Sequence, residues 1–192
     1  MYFCIMKSFI CSLLFLLTAL PMQAQKEFHG DGIDDYLRFV PMVSACVLKM
    51  SGVQSASSWK RLMVNSAVSL TVSLGVAYGL KQTVHEWRPD GTDRRAFPSG
   101  HATLAFAGAT ILYKEFGHVS PWISVAGYGV SAFTAVDRVR RNHHDWGDVA
   151  AGAAIGVGGV LLGYWIGDRI TGERRRCDVA LTSSGVCLVY RF

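Results

Sequence analysis

At 192 residues the chain has room for one domain, and 51% of its residues are hydrophobic with a positive mean hydropathy, high for a soluble enzyme. Its formal charge of +5 comes from lysines and arginines lying between apolar segments, not from a basic stripe with interleaved aromatics. That pattern argues against a nucleic-acid partner and fits basic loops joining membrane helices, so the fold class expected is all-α, a multi-pass transmembrane bundle of about five or six helices.

In chain order, residues 1–24 read as a signal peptide or a first membrane helix. Lys7 supplies the positive start, Ile10 to Leu20 is an apolar core, and the stretch from Pro21 ends on the small residue Ala24. Gln25 to Arg38 is polar, with Asp31, Asp34 and Asp35, and reads as an exported linker or surface helix. Phe39 to Leu48 is uncharged but short for a span. Ser51 to Ser58 is a small, polar loop closed by Trp59-Lys60-Arg61. Leu62 to Leu80 carries no charge, and as a helix it rises about 28 Å against a hydrocarbon core of about 30 Å. Ser99 to Tyr113, Val119 to Val136 and Val149 to Gly167 are three further uncharged runs, the last rich in glycines that let helix backbones approach closely in a bilayer.

The end of the chain differs in character. Residues 169–192 form a basic tail, set apart from a domain over 25–168. Cys177 to Phe192 alternates apolar and polar residues around Ser183-Ser184-Gly185, which suggests a short β-hairpin. None of the five cysteines has metal-ligand spacing. A Cys177 to Cys187 disulfide requires that the tail lie in an oxidising compartment.

Because the apolar helices alternate direction, the stretches 81–98 and 137–148 are expected at the same end of the bundle. Lysines and arginines divide evenly between the two ends, so the positive-inside rule alone sets no orientation. An exported Gln25, with one crossing near residues 39–55, puts both stretches outside the cytoplasm.

Those two stretches, with the helix start at Pro98-Ser99-Gly100-His101, hold the chemistry. Starting a helix near Asn142 or His143 puts His144 and Asp148 on one face, with the carboxylate holding one ring nitrogen and the other left as a nucleophile. Arg138, just upstream, offers a guanidinium suited to phosphate. Lys81 is followed by Arg88-Pro89, a point charge and a fork for one anion. Pro98-Ser99-Gly100-His101 opens a helix whose amide hydrogens and dipole favour an anion, with His101 in the first turn, where it can protonate a departing alkoxide.

Together the three stretches resemble the type 2 phosphatidic acid phosphatase (PAP2) superfamily, shared with bacterial acid phosphatases and vanadium haloperoxidases. Its pattern is a lysine with a spaced Arg-Pro, then Pro-Ser-Gly-His, then Ser-Arg followed at fixed spacing by His and Asp. The spacing selects His144, because His143 would need an arginine at 137 and an aspartate at 147, where the chain has Asp137 and Gly147. Asp137 also stands where the family usually has serine, and it is assigned no binding role.

The resemblance implies a bacterial-type lipid phosphatase of the cytoplasmic membrane, multi-pass, with its site facing the periplasm or cell exterior. It would act on a lipid phosphate or pyrophosphate ester through a phosphohistidine. In it His144 would attack phosphorus, Asp148 would orient His144, and His101 would be the acid. Lys81, Arg88, Ser99, Gly100 and Arg138 would hold the phosphate. No metal and no cofactor are expected, since three cations and a helix start supply the charge and no carboxylate cluster is evident. A noncatalytic anion-binding membrane protein and a vanadium-dependent haloperoxidase are the alternatives that use the same pocket.

Overall fold

The hydrophobic runs form helices that pass between two ends of a bundle. The computed structural model describes residues 32–91 and 94–172, together with two strands near the C-terminus. The expected targeting segment, residues 1–24, lies outside the described residues. The helices are α1 (Ile33–Leu37), α2 (Val40–Met50), α3 (Trp59–Thr83), α4 (Gly100–Phe116), α5 (Pro121–Arg140) and α6 (Trp146–Thr171). Strands β1 (Cys177–Thr182) and β2 (Gly185–Tyr190) pair antiparallel, with Cys177 opposite Tyr190 and Cys187 opposite Ala180. In that register the two cysteines are offset along the ladder by about 10 Å at ~3.4 Å per residue. The side chains of both strands, and with them the Cys177 to Cys187 disulfide considered from sequence, lie outside the described residues.

α4 is the central element. Ala102, Ala105, Ala107, Ala109, Ile111 and Phe116 are all fully buried, and α4 packs against α2, α3, α5 and α6. A helix surrounded by neighbours needs small side chains, which explains its alanines. The tightest approach is between α3 and α6. A Cβ built on Gly159, Gly163 or Gly167 would fall within 2.1–2.3 Å of Ser73, Ser69 or Asn65. At Gly163 one of the atoms met is the Ser69 backbone, so the helices touch main chain to main chain.

Hydrogen bonds at the two ends of α4 define the two ends of the bundle. At its start, Ser99 N–H donates to the Asp148 carbonyl at 3.0 Å, tying the first turn of α4 to that of α6. At its far end the Glu115 carboxylate accepts from Ser57 and Tyr164, and the Glu115 carbonyl accepts from Ala56. Arg61 nearby makes a two-pronged contact with Asp168, at 2.7 and 2.8 Å. Arg38 meets His101 at one end and Ser57 meets Glu115 at the other, so the intervening segment, with α2 in it, runs the length of the bundle. α2 itself rises only about 16 Å, and the 51–58 loop completes the distance.

α3 and α6, of 25 and 26 residues, are long and apolar enough to cross a membrane. The runs on α4 and α5, read from sequence as further membrane segments, do not meet the same length and apolarity; α4 has 17 residues. Large apolar side chains on the outer faces are exposed, among them Leu74 and Val76 on α3, Val125 and Phe133 on α5, and Leu161 and Leu162 on α6. Exposed aromatics gather at both ends: Tyr36, Trp87 and Trp146 at the first, and Trp59, Tyr113, Trp122 and Trp165 at the second. Amphipathic rings in two girdles about an apolar band suit the two interfaces of a bilayer.

Candidate active site

The carboxylate nearest His144 is positioned by a helix start. Asp145 is the N-cap of α6, and the Asp148 side chain accepts the Asp145 backbone N–H at 3.1 Å, the return half of a capping box. The same Asp148 Oδ2 lies 3.2 Å from His144 Nδ1. The helix therefore begins later than the sequence suggested, and the shared-face arrangement is corrected. His144 precedes the helix, and Asp148 reaches back to it from the first turn because an aspartate N-cap is strongly preferred over histidine. Both side chains are buried, at about 2% exposure. With Nδ1 committed to Asp148, Nε2 remains for an electrophile. His143 turns elsewhere, to Asp90 on the loop after α3, at 2.9 Å.

Positive charge converges on this pair. Burial pushes the His144 pKa down to about 3, and the charges of Arg138, Lys81, Arg88 and His101 push in the same direction. The imidazole is therefore neutral at any working pH, with a lone pair available. Lys81 and Arg88 also act on Asp148. Lys81 Nζ donates to the Arg95 carbonyl at 2.8 Å, which anchors the loop before Pro98. A Cβ built on Gly100 would meet only Lys81 Cε, at 4.0 Å, so the space over the start of α4 is open and bordered by that lysine. Ser99 caps α4 and is fully buried. Arg138 is 7% exposed, and its Nε has no hydrogen-bond partner among the described residues. An orphaned buried guanidinium N–H is costly, and an anion is the group that would satisfy it.

What the sequence reading missed is α1. The segment read as a linker or surface helix delivers Asp34, with no exposed surface, into the same end of the bundle. Asp34 accepts from Arg138 Nη1 at 2.7 Å and from Arg141 Nη1 at 2.9 Å. Asp137 faces Asp34 as well. Asp35 Oδ1 lies 2.6 Å from His101 Nε2, and Arg38 Nη1 lies 2.8 Å from the same nitrogen. Gly32 leaves room for this pair, since a Cβ there would fall 1.3 Å from Arg141 Nη1 and 2.2 Å from Asp34 Oδ1 and displace those side-chain ends. The available signal was Asp34, Asp35 and Arg38 sharing one turn, a pattern equally common on solvated helices.

A carboxylate group does therefore exist where none was evident in the sequence. Asp34, Asp35 and His101 are close enough together to hold a metal ion. Arg38, Arg138 and Arg141 are paired with these same atoms, so the group is already charge-balanced by guanidinium. The three motifs and α1 thus meet at one end of the bundle: two histidines, each beside an aspartate, with cations between them. Such a site can bind a tetrahedral anion and move a proton on either side of it.

Comparisons with known proteins place the chain in a family. The family model described as the PAP2 superfamily matches residues 62–171, more than half of the chain. The lipid A 1-phosphatase of Porphyromonas gingivalis is 40% identical over 145 residues, covering 75% of this chain and 32% of that protein. A PA-phosphatase related-family protein of Dictyostelium discoideum is 31% identical over 94 residues, 43% of this chain and 32% of that protein. The lipid A 4'-phosphatase of Helicobacter pylori is 30% identical over 162 residues, 77% of each chain. This chain thus spans about a third of the length of the first two and most of the third. No solved structure matches it significantly. By the family match and by the motifs that it contains, the chain belongs to the PAP2 superfamily.

Proposed function

We propose that the protein is an integral membrane phosphatase that hydrolyses a phosphate or pyrophosphate ester of a lipid. The observation that carries the reading is the buried His144–Asp148 pair, whose imidazole is kept neutral by burial and by the cations Arg138, Lys81 and Arg88. A neutral nitrogen surrounded by positive charge is poised to attack an anion that those charges have drawn in. His144 Nε2 forms a bond to phosphorus as the phosphorus–oxygen bond to the alcohol breaks, and His101 gives the departing oxygen a proton. Water then attacks the phosphohistidine, passes a proton to His101, and phosphate leaves. Lys81, Arg88, Arg138, Ser99 and the amide at Gly100 stabilise the equatorial oxygens, so positioning and electrostatics supply the catalysis.

The relatives named for lipid A phosphatase activity support a phosphorylated lipid as the substrate. The exposed apolar faces and the aromatics at both ends support a multi-pass protein whose site opens at the bilayer surface. The bacterial cytoplasmic membrane is the proposed location, with the site outside. The C-terminal strands are read as a hairpin beyond the catalytic bundle.

Purified protein in detergent should release phosphate from a phosphorylated lipid in the presence of chelator, and His144→Ala should lose at least a thousandfold of that activity. A labelled phosphoenzyme stable to base and labile to acid should be trapped in the wild type only. Full turnover by His144→Ala would remove the nucleophile from the scheme.

A further inference from the structure

The site contains a second aspartate built in the same way as the first. Asp148 is the third residue of α6 and accepts the N-cap N–H while facing His144. Asp35 is the third residue of α1; its Oδ2 accepts the Gly32 N-cap N–H at 3.0 Å, and its Oδ1 faces His101 Nε2 at 2.6 Å. In each case a short turn of backbone fixes the carboxylate, and the carboxylate fixes an imidazole. The Asp35 residue comes from α1, upstream of the residues 62–171 that match the family.

We infer that Asp35 is the positioning residue for His101, holding a proton on Nε2 so that Nδ1 is the nitrogen that exchanges its proton with the leaving oxygen and then with water. The inference rests on the hydrolase reading above. Arginine can only donate, so Nε2 either accepts from Arg38 or donates to Asp35. Once the ring is charged it has hydrogens on both nitrogens, and Nε2–H is then held by Asp35. Loss of the Nδ1 proton to the alkoxide leaves a neutral ring, still held through Nε2, with a free lone pair facing the phosphoenzyme. The proton count therefore closes over the two half-reactions without moving the ring.

The charged groups around His101 are Asp34, Asp35 and Arg38 from α1, Arg138 from α5, and the His144 ring. Asp35 remains ionised in this setting. Burial alone would raise its pKa, but the hydrogen bond from His101, that ring's charge, the Gly32 N–H and Arg38 together bring it below the usual carboxylate value.

The test compares wild type, Asp35→Asn and Asp35→Glu on two substrates, a long-chain alkyl phosphate and p-nitrophenyl phosphate. An alkoxide needs a proton to leave, and a nitrophenolate does not. Asp35→Asn should lower kcat/KM, which reports phosphoenzyme formation and not its hydrolysis, on the alkyl phosphate by about 10–100-fold, the range for losing the carboxylate partner of a metal-bound histidine, with a much smaller loss on the aryl phosphate. The alkaline limb of its pH profile should move to lower pH, since the charged ring has lost its partner. Asp35→Glu should recover part of the loss. Combined with His101→Gln, Asp35→Asn should add no further loss on the alkyl phosphate. Equal losses of kcat/KM on both substrates with an unmoved pH limb would reduce Asp35 to a structural role and overturn the inference.

A second readout does not depend on turnover. Hydrogen–deuterium exchange at the His101 ring carbon reports its pKa in the folded protein, and Asp35→Asn should lower it. If wild type turns over neither substrate, the hydrolase reading fails, and the exchange measurement still decides whether Asp35 holds His101. An unchanged His101 pKa would sink the pairing.

Discussion

At the scale of single residues, His144 carries a cost that the fold absorbs. Its pKa falls from 6.5 to about 3 through burial and the nearby cations, so the native state excludes a proton that the unfolded chain takes up. Between those two values the unfolded state binds more protons, and stability must fall as the pH falls through that window. Above pH 6.5 the ring is neutral in both states and contributes no pH dependence. The melting temperature in detergent should therefore drop on acidification from pH 6.5 toward 3 more steeply in wild type than in His144→Gln. Parallel curves for the two proteins would show that the ring is not held neutral. Asp34 is the other residue of consequence. It fixes Arg138 through one guanidinium nitrogen, leaving the buried Nε available to an anion.

At the scale of elements, α3 and α6 were legible as apolar runs, and the glycines of α6 were legible as contact residues. Which of those glycines matter was not legible. Gly159, Gly163 and Gly167 press on α3, whereas a Cβ on Gly158 would meet nothing within 4 Å. Periodicity marks a face but not the distance to its neighbour. Gly163→Val should push the helices apart and destabilise the protein by about 1–3 kcal/mol, the range for overpacked sites, while Gly158→Ala should be nearly neutral. Thermal melting of the two variants in one detergent would decide it, and equal melting points would show that α3 and α6 are not in close contact. α1 was invisible as a functional element, since a five-residue helix has no periodicity to read and gains its place through ion pairs with distant residues.

At the scale of the whole molecule, the direction of each helix follows from the hydrogen bonds at the two ends of α4. The three motifs, α1 and the exposed rings of Trp87 and Trp146 share one end; Arg61, Glu115 and Asp168 share the other. Lysines and arginines do not favour either end, so orientation is an experimental question with a sharp expectation. A periplasm-active reporter fused after Arg95 should be active, and one fused at Lys114 inactive. The reverse pattern would put the phosphate site in the cytoplasm and change the substrate pool available to it.

The sequence alone determined that this chain is apolar enough for a membrane and that its three spaced motifs resemble those of the PAP2 superfamily. Both are local properties: hydropathy adds up along a helix, and each motif spans no more than a helix end, the loop beside it and the start of the next helix. Only the tertiary structure decided which carboxylates meet which cations. Asp34 and Arg138 are 104 positions apart, and Asp35 and His101 are 66 apart. No pattern in a single chain marks such pairs, because a buried ion pair depends on where the packed helices bring their ends together.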